Sequence, residues 1–307
     1  MGHGKISISQ TSVFEFEFDE EVRLQDFMTD WIAPISFWVS SGTRRTSGIE
    51  HMSIFNRNWK SDSDGSAIDS WQTVIPRNPK RKFSNDDKLE YLHRLKDFDF
   101  ETQVPMVLAT YNNHRAAVDQ YLDYLHNTPS TPMVRLTVLA QLVETFDRSL
   151  HPDPHIDEYL ESDADLFAAY VAASDAHRKY ASNAKRLVLE SIRPTLASRL
   201  KRLDSDTGKL ISNMLERPSW KSDIAGIRNS IVHGLPSSVF FLKNVIPIQI
   251  SIDILELLFE LQLLRSLGFS NQQVEQIVTQ DDPNWAGRKH HVVEYLNSFD
   301  DFNGFEK

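Results

Sequence analysis

The chain has 307 residues, of which 40% are hydrophobic and 25% charged, a composition typical of a globular protein with enough apolar material for a sizeable core. Cysteine is absent, which excludes a disulfide framework, thiolate metal sites and thiol nucleophiles and fits a reducing, cytoplasmic location. The formal net charge of -10 argues against wholesale wrapping of nucleic acid or adhesion to an anionic membrane, so contacts with RNA or DNA are expected to be local.

The sequence has neither the pattern of a secretory signal nor that of a membrane span. Residues 1–10 lack the basic start and apolar core that a secretory signal needs. The most apolar stretch, residues 246–269, contains too many polar and charged residues for an unbroken span. We therefore expect this stretch to be an amphipathic buried helix, and we expect no contact with a membrane.

The first 78 residues are predicted to form a small β-rich module. Apolar and polar residues alternate over residues 5–18, the period-two pattern of strands with one buried face. A short helix is predicted over residues 22–31, where apolar residues recur at helical spacing, and Pro34 is expected to end it. Further strands are predicted over residues 35–39, 50–55 and 71–75.

Beyond this module the chain is predicted to be almost entirely helical. Residues 79–130 are predicted to be a linker followed by a connecting helix, and Pro76, Pro79 and the basic run at residues 80–82 mark the boundary. Residues 131–307 are predicted to form an all-α domain. Helices are predicted over residues 116–125, 134–150, 156–173, 175–202, 216–232, 250–267, 271–278 and 289–298. Pro194 is expected to kink the helix over residues 175–202 or to begin a new helix. The predicted fold class is therefore α+β, a β-rich front end followed by a helical bundle.

Several motifs with well-defined chemistry are missing from the sequence. It contains no GxxxxGK[ST] phosphate loop, no GxGxxG after a strand, no GxSxG elbow and no HExxH, which argues against nucleotide hydrolysis, the dinucleotide fold and the zinc proteases. His151 and His155 lie in a short HPDPH stretch, whose prolines favour a turn between helices over a metal site. We expect neither a cofactor nor a metal.

The hexapeptide Arg-Asn-Ser-Ile-Val-His at residues 228–233 carries the strongest chemical signal. Within a helix, Asn229 and His233 lie on one face, and Arg228 lies about 140° round from His233. Metal-free RNA cleavage by the 2′-hydroxyl requires a group that moves a proton and a cation that balances the charge on the phosphorane. An imidazole can do the first and a guanidinium the second. One copy of this stretch is too short to supply both a base and an acid, so a composite site across a dimer is predicted. A capped helix end without catalysis would contain the same residues.

This hexapeptide resembles the RNxxxH form of the R-x4–6-H motif of HEPN domains, which are all-α modules that cleave or bind nucleic acid. Residues 131–270 are similar to the HEPN portion of ApeA-type anti-phage proteins, and residues 5–75 more loosely resemble part of their amino-terminal domain. The resemblance implies an HEPN-like helical domain that works without a metal. It also implies that Arg228 and His233 are the catalytic pair and that Asn229 orients His233 or the scissile phosphate.

Many members of that family carry an acidic residue on an earlier helix that faces the motif. By this resemblance Glu144, with Asp147 and Arg148 one turn further on, is the best match in this chain. A solvated charged face explains the same residues equally well.

A basic segment precedes the motif. Residues 178–221 contain eleven lysines and arginines and four acidic residues, a balance of +7, which leaves -17 for the rest of the chain. Such a layout is typical of a localised phosphate-binding surface, although exposed helix faces would produce the same pattern. The residues predicted to contact RNA are Lys185, Arg186, Arg199, Lys201 and Arg202.

Three hypotheses account for these features. The first is a metal-independent HEPN endoribonuclease in anti-phage, abortive-infection defence. It acts as a homodimer on RNA, with tRNA as one candidate substrate, and the front end of the chain serves as its sensor or regulator. The second is a non-catalytic HEPN-type module for RNA binding or dimerisation. The third is an unrelated helical scaffold with an accidental motif, which predicts a monomer in which His233 is buried or has no fixed position.

Overall fold

The computed structural model describes residues 16, 18, 20, 22–44, 52–54, 72–74, 92, 98–153, 158–174, 177–181, 183–185, 188, 193–233, 245–279 and 292–293. The N-terminal elements are α1 (Leu24–Phe27), a π-helical turn (Met28–Ile32), α2 (Ala33–Thr43), β1 (Met52–Ile54) and β2 (Gln72–Val74). The helices that follow are α3 (Phe100–Asn113), α4 (Arg115–His126), α5 (Pro132–Leu150), α6 (Glu158–Ala172), a 3-10 turn (Arg178–Tyr180), α7 (Leu196–Asp206), α8 (Leu210–Leu215), α9 (Trp220–His233), α10 (Val245–Ser266) and α11 (Asn271–Thr279).

The predicted strand over residues 35–39 is wrong, because this stretch lies in α2. Pro34 does not end the preceding helix either, since it occupies the first turn of α2, directly after the π-helical turn. Proline lacks a backbone N–H, and its ring crowds the carbonyl of the turn before it. The wider π-helical turn accommodates both effects, so the helix continues and buries Phe37 and Trp38.

The two short strands β1 and β2 form an antiparallel ribbon in which Met52 pairs with Val74 and Ile54 with Gln72. They coincide with the strands predicted over residues 50–55 and 71–75. The strands predicted over residues 5–18 lie outside the described residues except for Phe16 and Phe18, and neither of these two is in a strand. The helical part of the α+β prediction is therefore confirmed, whereas a β-rich module is not established.

One hydrophobic core connects the described helices from α2 to α11, with the exception of α6. Its central element is α10, in which Ile252, Leu258 and Leu264 are fully buried, and α10 packs mainly against α5. Phe37 and Trp38 of α2 belong to the same core. In the described part of the chain, α2 to α4 therefore complete the packing around α10.

A buried polar network joins α2 to the centre of the core. The side chain of Glu260 is only 2% exposed, and its carboxylate accepts a hydrogen bond of 2.7 Å from Nε of Arg44, the residue that follows α2. Glu256, one turn earlier, pairs with Arg44 at 3.4 Å and with Arg135 of α5 at 3.1 Å, and it also accepts a hydrogen bond from Tyr124. Burial and the charge of Glu256 raise the pKa of Tyr124 above its usual value, so the phenol keeps its proton. These pairs compensate two carboxylates in the core and hold the N-terminal helices against α10.

The helices predicted around residues 116–125, 134–150, 156–173, 250–267 and 271–278 are confirmed as α4, α5, α6, α10 and α11. The restart predicted at Pro194 is also confirmed: α7 begins at Leu196, and Thr195 caps it by accepting a hydrogen bond of 3.2 Å from the backbone N–H of Ser198. Of the helix predicted over residues 289–298, the structure describes only residues 292 and 293. Among the described helices, none combines the length and apolar character that crossing a membrane requires.

Replacement of two glycines in this bundle by alanine is expected to change the free energy of unfolding in opposite directions. Gly268 ends α10 with φ +92°, and an added Cβ would clash with Sδ of Met106, so Gly268→Ala should lower the free energy of unfolding by about 1–2 kcal/mol. Gly226 lies inside α9 with nothing within 4 Å of its added Cβ. Gly226→Ala should therefore raise the free energy of unfolding by about 0.5–1 kcal/mol. Urea denaturation of both variants measures the difference, and shifts of the same sign would contradict it.

Candidate active site

The hexapeptide at residues 228–233 forms the last turns of α9. The apolar residues of α9 pack this helix against the rest of the bundle. Trp220, Ile224 and Ile227 recur at helical spacing and are 1–2% exposed, which buries one face of α9 against α5 and α7. At the start of the helix, Asp223 pairs with Arg217 at 2.9 Å and places a negative charge where the helix dipole favours it. The opposite face of the final turns is left open to solvent.

Polar contacts also fasten the beginning of α9 to α7 and α8. The carboxylate of Asp204 is 2% exposed, and Lys221 donates to it at 3.0 Å and to Oγ of Ser212 at 2.6 Å. The Lys221 ammonium lies 4.4 Å from the centre of the Trp220 ring. Lys221 belongs to the basic segment of residues 178–221, but its ammonium group binds Asp204 and Ser212 within the domain. It therefore holds α9 in place.

Arg228 lies at the interface between α9 and α5. Its side chain is 26% exposed, and its Nη2 is 3.9 Å from Oε2 of Glu144, a distance that permits ionic attraction but exceeds a hydrogen bond. Its Nη1 donates to Oδ1 of Asn229 at 3.1 Å. Its Nε is buried without an acceptor among the described residues. The guanidinium thus keeps hydrogen-bonding capacity that an anion could satisfy.

Asn229 and His233 are both exposed, and His233 is the last residue of α9. The amide oxygen of Asn229 contacts Arg228, so within one chain Asn229 orients the guanidinium. His233 lies five residues after Arg228, which separates the two along the helix by about 7.5 Å and by about 140° in direction.

Glu144 is the acidic residue that α5 presents to the motif, as the sequence analysis expected. Its side chain is 19% exposed and faces Arg228. Among the described residues, no three histidine, aspartate or glutamate side chains are grouped so as to hold a metal ion. His151 pairs with Asp206 at 2.8 Å, and His155 lies outside the described residues.

The residues predicted to contact RNA differ in their exposure to solvent and in their carboxylate partners. Arg199 is 5% exposed, because Nη1 donates to buried Asp147 at 2.8 Å and Nη2 donates to both carboxylate oxygens of Asp153 at 2.6 and 2.7 Å. Although burial opposes it, hydrogen bonding to Asp153 and Asp147 raises the pKa of Arg199. The prediction for Arg199 is therefore wrong, since its guanidinium is not available at the surface.

The other four basic residues are not equivalent either. Arg202 is 34% exposed and also binds Asp147, with its Nε 3.2 Å from Oδ1. Lys185 is 39% exposed and pairs with Asp165 of α6 at 2.7 Å. Lys201 is exposed on α7, and the side chain of Arg186 lies outside the described residues.

Asp147 has a structural role that was not predicted from the sequence, where it was named only as a neighbour of Glu144. It is fully buried between α5 and α7 and binds two arginines from α7. The signal was present in the sequence: Asp147 follows Val143 by one helical turn, on the face of α5 that the apolar stripe buries. An acid at such a position requires a cation from a neighbouring element.

The fold and the site define a helical domain in which an R-x4-H sequence ends an amphipathic helix beside an acidic residue of a neighbouring helix. A family model, that of the Apea-like HEPN domain, matches residues 138–273, which include α7 to α10 and contain Glu144, Arg228 and His233. Residues 138–273 are therefore similar to Apea-like HEPN domains. No curated protein and no solved structure matches the chain significantly.

Proposed function

We propose that the chain is a metal-independent endoribonuclease whose active site comprises Arg228, Asn229, His233 and Glu144. The observation that carries this proposal is the state of Arg228, a partly exposed guanidinium whose Nη2 makes no hydrogen bond to a described residue and meets Glu144 only at an ionic distance of 3.9 Å. It lies on the same helix as an exposed imidazole, His233. A phosphate would supply the missing hydrogen-bond acceptor.

The reaction is transfer of the phosphate from the 5′-oxygen of the next nucleotide to the 2′-oxygen of the ribose whose 3′-oxygen already carries it. A base takes the proton of the 2′-hydroxyl as its oxygen attacks phosphorus, the bond from phosphorus to the 5′-oxygen breaks, and an acid returns a proton to that oxygen. The products are a 2′,3′-cyclic phosphate and a 5′-hydroxyl. Imidazole can serve as base and as acid, and Arg228 stabilises the charge that grows on the phosphorane oxygens.

Two chains are needed because one chain has a single His233 and directs it away from its own Arg228. In a two-fold homodimer, the paired motifs supply one imidazole as base and the other as acid around one phosphate. The contact of Arg228 with Glu144 then serves to hold the guanidinium in position until the phosphate arrives.

We place this activity in the cytoplasm, in defence against phages, where RNA cleavage halts an infected cell and tRNA is one candidate substrate. The Apea-like family assignment supports this role. The N-terminal helices share the hydrophobic core of the HEPN domain, which supports a restraining or sensing function for the front of the chain.

The test is to incubate the purified full chain with total RNA, with and without EDTA, and to map the ends of the fragments. We expect cleavage that survives chelation and leaves 2′,3′-cyclic phosphate and 5′-hydroxyl ends. Cleavage that requires a divalent cation would contradict the proposed chemistry. A folded dimer that binds RNA without cutting it would favour the non-catalytic module, for which the contacts of Arg228 within its own chain would be purely structural.

A further inference from the structure

An exposed arginine on α5 lies one helical turn beyond Glu144. Arg148 is exposed, and its Nε donates to the backbone oxygen of Glu144 at 3.2 Å, which directs the side chain along α5. Among the described residues no carboxylate lies within 4 Å of its guanidinium nitrogens, so the terminal N–H groups face solvent. The four-residue step from Glu144 to Arg148 spans about 6 Å along the helix, a spacing similar to that of neighbouring phosphates along an RNA strand.

Arg148 also belongs to a group of charges between α5 and α7 in which cations outnumber anions. Arg199 and Arg202 bind Asp147, and Arg199 binds Asp153. A hydrogen bond from Arg199 lowers the pKa of Asp153 below its usual value, and the charges of Arg199, Arg148 and Arg202 contribute to this shift. Two carboxylates therefore face three guanidinium groups, and Arg148 is the one that interacts with a carboxylate of the group only through its charge, without a hydrogen bond.

The exposed part of this group adjoins the proposed active site. The helices α5, α7 and α9 pack against one another, with Arg228 on α9, Glu144 and Arg148 on α5, and Arg202 on α7. Arg202 uses Nε and Nη2 to bind Asp147, and its side chain is 34% exposed. Arg148 thus lies one turn from Glu144, the ionic partner of Arg228, and the charges of Arg148 and Arg202 both act on Asp153.

We propose that Arg148, together with the outer edge of Arg202, forms a phosphate-binding subsite that holds the RNA backbone next to the phosphate being cleaved. This inference rests on the proposed ribonuclease function. Bidentate binding by guanidinium groups suits a phosphodiester, and the partner is the backbone of single-stranded RNA, without preference for its bases. Arg148 is the binding residue to test, because Arg202 also compensates buried Asp147.

The experiment measures RNA binding by the full chain in a His233→Ala background, which prevents cleavage. A short fluorescein-labelled single-stranded RNA is titrated by fluorescence anisotropy over a series of salt concentrations. Adding Arg148→Gln should weaken binding several-fold at low salt and reduce the slope of log K against log salt by about 0.7, the value for one phosphate contact on a single strand. Arg148→Lys should restore most of that slope, because the positive charge is kept.

The matched control is Arg23→Gln, which removes an exposed arginine beside α1 and should change neither affinity nor slope. Unchanged binding in Arg148→Gln, with RNA still bound by the His233→Ala parent, would overturn the subsite and leave the ribonuclease proposal intact. Equal losses in Arg148→Gln and Arg23→Gln would also overturn it, since they would report only net charge. A parent protein that binds no RNA would overturn both proposals.

Discussion

His233→Ala should lower the rate of RNA cleavage by about 10²- to 10⁴-fold, the contribution expected from a general acid or base. The variant should fold normally because His233 is exposed and is the last residue of α9, so its side chain packs against nothing in the core. Arg228→Ala should cost about 10²- to 10³-fold, since it removes a donor that stabilises charge in the transition state. Initial cleavage rates with excess EDTA measure both effects.

His126→Ala is the matched control for His233→Ala. His126 is also an exposed histidine and the last residue of its helix, α4, but it lies outside the motif. Its replacement should leave the cleavage rate unchanged. If His233→Ala retains wild-type activity, or if His126→Ala loses as much activity as His233→Ala, the assignment of His233 as a proton-transfer residue is wrong.

Mixtures of wild-type and His233→Ala chains test whether the site is shared between two subunits. If one imidazole is the base and its copy in the partner is the acid, only dimers of two wild-type chains are active. After subunit exchange at equal amounts, activity should fall to about a quarter of that of the same total of wild-type protein, against about a half for independent sites. A linear dependence on the wild-type fraction would exclude a composite site.

Asp147→Asn should lower the free energy of unfolding by about 3–5 kcal/mol, the cost of removing one partner from a buried ion pair. Asp147 is fully buried, and the side chain of Arg199, which it binds, is only 6% exposed. Without the carboxylate charge, the guanidinium groups of Arg199 and Arg202 repel each other, and water cannot fully solvate Arg199. Because Asp153 still engages Arg199, we expect the lower end of this range. Urea denaturation monitored by circular dichroism measures the change.

Asp119→Asn provides the comparison for an exposed pair. Asp119 is 54% exposed and pairs with Arg115 at 2.9 Å across one turn of α4. Such a pair contributes about 0.3–0.5 kcal/mol, because solvent screens the charges and both side chains lose freedom when they pair. Similar losses of stability in Asp119→Asn and Asp147→Asn would show that Asp147 does not hold α5 and α7 together.

Local patterns in the sequence were sufficient for most of the helical domain. The apolar residues of α4, α5 and α10 recur at the helical period over long stretches, so their positions could be predicted without any knowledge of packing. The motif Arg228 to His233 is also contained in one helix, and an exposed His233 at its end agrees with that prediction. The strand predicted over residues 35–39 failed because a π-helical turn, which short-range propensity does not signal, allows the helix to pass Pro34.

The sequence by itself determined the motif, the helical periodicity of the bundle and the absence of thiol chemistry, since each depends only on residue identity and spacing. The tertiary structure decided which arginines face solvent. Arg199 and Arg148 look alike in the sequence, yet Asp147, 52 residues before Arg199, meets it in the core, whereas no carboxylate among the described residues meets Arg148 within 4 Å. The physical reason is that a charge is buried or exposed according to the partner that another helix brings to it, and that partner is set by packing between distant segments.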